Sequence, residues 1–267
     1  HEEAHEARIW VPHEAERVRS RPALAVCHRR DVDGTLTRDG ALTAASLGAI
    51  EELTAAGLEV VPVSGRPAGE VLGLCRYLPG VRRAIAENGL ISVVPDQPVQ
   101  FIGRPTNPAR LREVGDALNA DHGANLRLAG DEFCRVGDVA YERDGRDVPE
   151  LMRLRDVARA AGVFFVWSSV HVHLAERLPD KGEGLLQMLQ RWGRAPSAVA
   201  TIGDAPNDAG LFTPGRFGLT VGTADVVGQA QDFPHLPQMV TSGRELDGFL
   251  ELARGLLDSR GVQNDTH

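Results

Sequence analysis

Apolar and polar positions along the 267-residue chain follow two different rhythms. From Ala23 onward, short apolar runs alternate with helical stretches, the pattern of a parallel α/β sheet. After Thr43, residues Leu47, Ile50 and Leu53 recur every third position, Gly57 can end the helix, and Leu58–Val63 is a β-branched run. A second such unit lies near the other end. Leu185, Leu189 and Trp192 mark a helix stripe, Gly193 can stop it, and Ser197–Ile202 reads as a strand. Phe217–Val221 predicts one further strand and Glu245–Leu257 a closing helix.

The middle of the chain reads differently. Ile91–Val94, Val99–Ile102, Asn125–Leu128, Arg135–Tyr141, Val163–Trp167 and His171–Ala175 predict strands, several of them alternating. Helical stretches near Pro108–Leu118 and Val148–Ala161 separate them. This α+β patterning inside an α/β chain predicts a cap domain over residues 85–179, inserted into a core made of 23–84 and 180–267. Residues 1–22 are charged and carry no strong apolar stripe, so they read as a loosely attached helical or disordered tail. No internal repeat at a solenoid period is present.

Composition narrows the class without naming a chemistry. With 42% hydrophobic and 25% charged residues, the chain is that of a folded globular protein rather than a disordered one. No stretch approaches the ~18 uninterrupted apolar residues of a membrane helix. Cys27, Cys75 and Cys134 are odd in number and far apart, which speaks against a disulfide framework and for a reducing, cytoplasmic setting. The formal charge of −8 gives no reason to expect a nucleic acid or an anionic membrane as partner, and leaves oligomeric state open.

Four short segments carry chemistry, and three fall where a predicted strand ends, the place where open α/β sheets bind ligands. In Asp31-Val32-Asp33-Gly34-Thr35-Leu36-Thr37, two carboxylates at i and i+2 share one side of an extended chain, and Gly34 permits a sharp turn. Paired carboxylates suit a nucleophile with a neighbouring acid/base. Val63-Ser64-Gly65-Arg66-Pro67 places a hydroxyl at a strand end. Asp180-Lys181-Gly182 puts a lysine at a predicted helix start, where cation and backbone amides can face an anion. Gly203-Asp204-Ala205-Pro206-Asn207-Asp208 adds two more carboxylates. Hard oxygen ligands without a His/Cys cluster point to Mg²⁺ rather than zinc. Each segment alone has a plain reading: a turn at Asp33-Gly34, a helix cap at Ser64, a solvated lysine at 181, loop carboxylates at 204 and 208. All four being plain together is improbable. The literal HExxH at His1-Glu2-Glu3-Ala4-His5 sits in the charged tail and is set aside as a zinc site.

DxDGT, SGR, a lone KG and GDxxND, in this order, resemble the haloacid dehalogenase-like hydrolase superfamily. Glu87-Asn88-Gly89 after the second motif, and an insert between the second and third, are similar to its type-IIB capped subgroup of Cof-like, sucrose-phosphate and trehalose-phosphate phosphatases and phosphomannomutases. The resemblance spans most of residues 23–257. It implies a Rossmann-like core with an inserted α+β cap, and a Mg²⁺-dependent phosphatase acting on a small phosphomonoester, a sugar phosphate first among them. It implies further that Asp31 is the nucleophile that becomes an aspartyl phosphate, and that Asp33 protonates the leaving group and then activates water. Ser64 and Lys181 would hold the phosphoryl oxygens. Asp204 and Asp208 would join Asp31 and the Asp33 carbonyl on Mg²⁺, with Asn207 bracing that loop.

One departure stands out. In this superfamily an apolar strand runs directly into the nucleophile, whereas here Cys27-His28-Arg29-Arg30 intervenes. Three polar or basic side chains in a buried strand are costly. The strand ends early, or these residues find partners, or this stretch is altered relative to its relatives. Beyond the motifs, Gly65, Arg66, Asn88, Arg135, His171, His173 and Glu176 are the substrate-binding candidates. His171 and His173 share one face of a predicted strand, which is either a solvated polar face or a face that closes over the core and reads the leaving group. Two alternatives to the phosphatase remain: a phosphohexomutase, because the Asp31 and Glu87 segments are similar to those of phosphomannomutases, and a non-catalytic phosphometabolite-binding protein.

Overall fold

The computed structural model describes residues 8–9, 23–27, 35–38, 40–168 and 170–264. In chain order the strands are β1 (Arg8–Ile9), β2 (Ala23–Cys27), β3 (Thr37–Arg38), β4 (Ala41–Leu42), β5 (Glu59–Val63), β6 (Ala84–Ala86), β7 (Ile91–Val93), β8 (Gln100–Phe101), β9 (Val139–Glu142), β10 (Phe164–Trp167), β11 (His171–Ala175), β12 (Val199–Gly203), β13 (Leu219–Gly222) and β14 (Met239–Val240). The helices are α1 (Ala44–Ala55), α2 (Ala68–Tyr77), α3 (Pro108–His122), α4 (Val148–Ala160), α5 (Lys181–Arg191) and α6 (Glu245–Asn264).

Nine strands form one sheet in the order β1-β14-β13-β12-β2-β5-β6-β7-β8. Pairing is parallel from β1 to β6, and antiparallel where β7 and β8 fold back at the edge. This is the α/β sheet that the alternating pattern predicts. Strand β5 buries every residue from Val60 to Val63, as a central strand covered on both faces must. Helices α1 and α6 pack over one face: Ile50 and Leu53 meet Phe249, Leu252 and Leu256 in a single apolar cluster. Helix α1 is capped by Thr43, whose side chain accepts the Ser46 amide in a capping box, and its buried face of Ser46, Ala49, Ile50 and Leu53 keeps two of the three expected positions while Leu47 is exposed.

A smaller three-stranded antiparallel sheet, β10-β11-β9, carries α3 and α4 on one face. Its own apolar cluster includes Leu111, Leu118, Leu151, Leu154, Val172 and Leu174. Both helices are announced by their caps: Asn107 ahead of Pro108, and Asp147 accepting the Glu150 amide.

Several expectations need correction. The strands near 91 and 100, expected in the insert, extend the large sheet instead. The chain leaves β6, turns through Glu87-Asn88-Gly89 and returns antiparallel, and strand patterning does not report which sheet a strand joins. Asn125–Leu128 contributes only one isolated bridge, from Leu128 to Tyr141. Of the expected strand Arg135–Tyr141 only the end forms, as β9 over Val139–Glu142, and a short helical turn at Glu132–Cys134 precedes the segment. Within the charged tail, Arg8–Ile9 pairs with β14 rather than forming a helix. The HExxH segment, His28 to Arg30, and Asp31, Asp33 and Gly34 lie outside the described residues. No helix among the described residues is long and apolar enough to cross a membrane.

Candidate active site

The sheet register brings the candidate residues together. Cys27, the last residue of β2, pairs with Val63, and Val26 pairs with Ile202 on the other side. Ser64 and Asp204 are therefore each the next residue along on the two strands that flank β2. Lys181 begins α5, where Asp180 accepts the Glu183 amide as N-cap.

Two close glycine approaches bring the loops onto α5. A side chain at Gly182 would collide with the Gly210 carbonyl, so the turn at Pro206–Leu211 lies directly against the helix start. A side chain at Gly184 would strike the Gly89 backbone, so the turn carrying Asn88 rests two residues further along the helix. Lys181, Asp208 and Asn88 owe their proximity to these contacts.

Lys181 is fully buried, and its Nζ donates to Asp208 Oδ1 at 2.7 Å. Asp208 Oδ2 accepts the amides of Asp204 at 3.0 Å and Ala205 at 3.2 Å. A buried ammonium and carboxylate each carry a desolvation cost of several kcal/mol, tolerable only when they are paired and hydrogen-bonded in this way. Both Asp208 oxygens are thus engaged, one by the lysine and the other by two loop amides. Asp204 is a buried carboxylate at the end of β12. Among the described residues no three His, Cys, Asp or Glu side chains gather as a ready metal cage, and two of the expected ligands, Asp31 and Asp33, lie outside them. The donor present among the described residues, the Asp204 carboxylate, fits a hard cation such as Mg²⁺.

Ser64 is buried, and its Oγ accepts the Arg66 amide at 3.1 Å. The turn around it is tied back to back with the Glu87–Asn88 turn, since Glu87 N donates to Arg66 O and Asn88 N donates to Ser64 O. Glu87 and Asn88 are consecutive non-glycine residues at positive φ, 53° and 54°, a conformation that costs about 1–2 kcal/mol per residue. Arg66 itself turns to Glu70, at 2.5 Å.

A cavity of about 320 Å³ opens between the two sheets. Gly65, Asn88, Asp180 and Asn207 line it on one side, and Trp167, Ser168, His171 and His173 on the other. The histidine face is therefore not a solvated one. Asn88 Oδ1 is buried without a hydrogen-bond partner among the described residues. Glu176 faces elsewhere, accepting from Asn107 N at 3.1 Å and Arg110 Nη1 at 2.9 Å. Arg135 is buried as a strut, bonded to Asp131, to Asp138 and to the Gly65 carbonyl.

Behind the cavity lies a polar network in which Glu87, Asp131 and Asp138 went unread as site residues. Glu87 accepts the amides of Ala68, Val136, Gly137 and Asp138. Burial, and then the Asp138 carboxylate, push Glu87 up to about 7, against the pull of its amide donors. Burial also acts to raise Asp138, but the Arg135 guanidinium and the His173 hydrogen bond outweigh it and hold that carboxyl below its usual range. The one sequence signal for Glu87 was its place beside Asn88-Gly89. Asp131 and Asp138 gave none.

No family model matches the chain. A phosphoglycolate phosphatase of Natronomonas pharaonis is 32% identical over 232 residues, covering 86% of this chain and 97% of the relative. The chain belongs to the haloacid dehalogenase-like hydrolase superfamily. Within it, the protein is a phosphoric monoester hydrolase. Among solved structures, Thermoplasma acidophilum 0175 superposes with a TM-score of 0.73 at 18% identity, covering 89% of this chain and 99% of that one. The subclass IIB sugar phosphatase BT4131 superposes at 0.64 with 13% identity, over 87% and 98%. At these identities the structural likeness establishes the fold, which is that of a superfamily core with its inserted cap.

Proposed function

We propose that this phosphatase hydrolyses phosphoglycolate or a closely similar small phosphomonoester, with Mg²⁺, through an aspartyl phosphate on Asp31. The supporting observation is that the Natronomonas pharaonis relative, matched along nearly its whole length, and further relatives from Methanospirillum hungatei and Methanoculleus marisnigri all carry the name phosphoglycolate phosphatase. The modest cavity agrees with a small leaving group.

In this reading the Asp31 carboxylate attacks phosphorus while the ester oxygen departs with a proton from Asp33. Water then attacks the aspartyl phosphate, Asp33 takes its proton, and inorganic phosphate leaves with Asp31 restored. Lys181 and Ser64 hold the phosphoryl oxygens, and the Asp208 pairing fixes where the ammonium sits. Asp204, with Asp31 and the Asp33 carbonyl, would hold Mg²⁺, which supplies positive charge against the mutual repulsion of carboxylate and phosphate. Asn207, which lines the cavity, would brace the Asp204–Asp208 loop.

A sugar phosphate is the second reading, favoured by the polar cap wall of Ser168, His171 and His173. Phosphate release from phosphoglycolate and a sugar-phosphate panel, with Mg²⁺ and with EDTA, ranks the two. Asp31→Asn is expected to abolish turnover at unchanged fold. Full activity in that variant would remove Asp31 from the reading, and interconversion of hexose phosphates without phosphate release would favour a mutase.

A further inference from the structure

The two cavity histidines are not equivalent. His171 turns its Nε2 toward Glu142 Oε2, 3.7 Å away, and its ring stands edge-on to that of His173 with centroids 6.0 Å apart. His173 is more buried, and its Nδ1 lies 2.9 Å from Asp138 Oδ2. The other Asp138 oxygen accepts Arg135 Nη1 at 3.1 Å, and the same Nη1 reaches the Gly65 carbonyl at 3.2 Å. Arg135 is held from behind by both Asp131 oxygens, at 3.2 and 2.8 Å. A continuous chain of hydrogen bonds thus runs from the turn that holds Ser64 to the cap histidine.

Asp138 is an acceptor in this chain, because Arg135 can only donate and stabilises the carboxylate. An ionised Asp138 makes His173 Nδ1 the protonated nitrogen, which leaves Nε2 as the ring's remaining polar atom, on a residue that lines the cavity. We propose that His173 Nε2 is the contact that reads a carboxylate or hydroxyl on the leaving group. Asp138 and Arg135 are its positioning residues, and they set its distance from the phosphoryl-binding turn through the Gly65 carbonyl. This rests on the phosphatase reading above and adds to it a way of measuring leaving-group length. The cap residue is referred to the Ser64–Gly65 turn by two side chains in series, so a leaving group with its polar atom at the wrong distance finds no partner.

The test compares wild type, His173→Leu, His173→Gln and Asp138→Asn on two substrates. One is the best-turned-over member of the panel bearing a carboxylate or hydroxyl, phosphoglycolate first. The other is phenyl phosphate, whose leaving group has no such atom. His173→Leu is expected to raise KM for the polar substrate about tenfold or more, the scale of one lost hydrogen bond to a charged or buried group. It should change kcat less and leave phenyl phosphate within about twofold. His173→Gln, which keeps a polar atom near the Nε2 position, should recover part of the loss. Imidazole ¹⁵N spectra of the full chain supply a readout independent of turnover: His173 is expected Nδ1-protonated in wild type and changed in Asp138→Asn, with the His173→Leu spectrum assigning the signal. Equal losses on both substrates, no loss on either, or an Nε2-protonated neutral ring in wild type would overturn the inference. If wild type turns over no phosphomonoester, the phosphatase reading itself fails. Turnover with an indifferent His173→Leu sinks only the histidine assignment.

Discussion

Lys181 shows how far a single side chain can be constrained. It is a long cationic residue with no exposed surface, at the first turn of a helix, where a positive charge is disfavoured by the helix dipole. The 2.7 Å bond to Asp208 makes the position tolerable. Lys181→Met would leave the Asp208 carboxylate buried with only two backbone amides, and should cost about 3–5 kcal/mol of stability together with the activity. Urea unfolding and phosphate release read the two effects separately. His171 offers a pH signature of opposite kind. Burial, and then the neighbouring His173, hold its pKa below the usual histidine value, and the pull of Asp131 and Glu142 does not compensate. The unfolded chain therefore takes up the proton first as pH falls. The stability tied to a neutral His171 is complete above pH ~6.5 and is lost as pH drops through its lower folded value. The unfolding free energy should decline over that window in wild type, and more shallowly in His171→Gln.

At the level of elements, the loops that carry the candidate site residues are placed by helix α5 and the turns that lean on it. Gly182→Ala would push a methyl group into the Gly210 carbonyl and displace the Pro206–Leu211 turn that carries Asp208. Its expected cost is about 1–3 kcal/mol by overpacking, with activity falling further than stability because the Lys181–Asp208 geometry shifts with it. Thermal unfolding measured beside kcat checks this. The elements are also where the sequence was most and least readable. Leu47, Ile50 and Leu53 have the spacing of a helix face, and the β-branched run before Ser64 has the composition of a buried strand, so the large sheet and the strand-end positions of Ser64 and Asp204 followed from local chemistry. Strands β7 and β8 did not, since a strand's pattern encodes two faces and not its neighbour. Glu176 looked like a site residue because it lies near the histidine strand, yet its charge is spent on Arg110 and the start of α3. Asp138 was invisible for the opposite reason: a lone aspartate has no periodic signature, and although Arg135 is three residues away on the chain, only the fold brings His173 to it.

Across the whole molecule, the smaller sheet is held to the larger one by backbone as well as side chains. The Glu87 carboxylate gathers one amide from the start of α2 and three from the segment leading into β9. Glu87→Gln replaces one acceptor oxygen with a donor amide that faces those N–H groups. It should therefore cost about 1–3 kcal/mol and loosen that segment first. Hydrogen exchange is expected to rise at Val136, Gly137 and Asp138 before it rises in β5 or β12; unchanged protection there would show that the side chain is not what holds the segment.

That grip has a consequence for how such proteins diversify. Glu87 recognises peptide N–H groups, which every residue but proline possesses, so its hold asks little of the segment's side chains except at Gly137, where a Cβ would come within 3.0 Å of Glu87 Oε2. The cap can therefore vary the wall it presents to the leaving group while this backbone part of its attachment persists, and the Arg135 bond to the Gly65 carbonyl is the part that a changed sequence would lose. A graft that brings a foreign cap onto this core should dock more readily when Glu87, Arg135 and Gly137 are kept and no proline falls at positions 136–138.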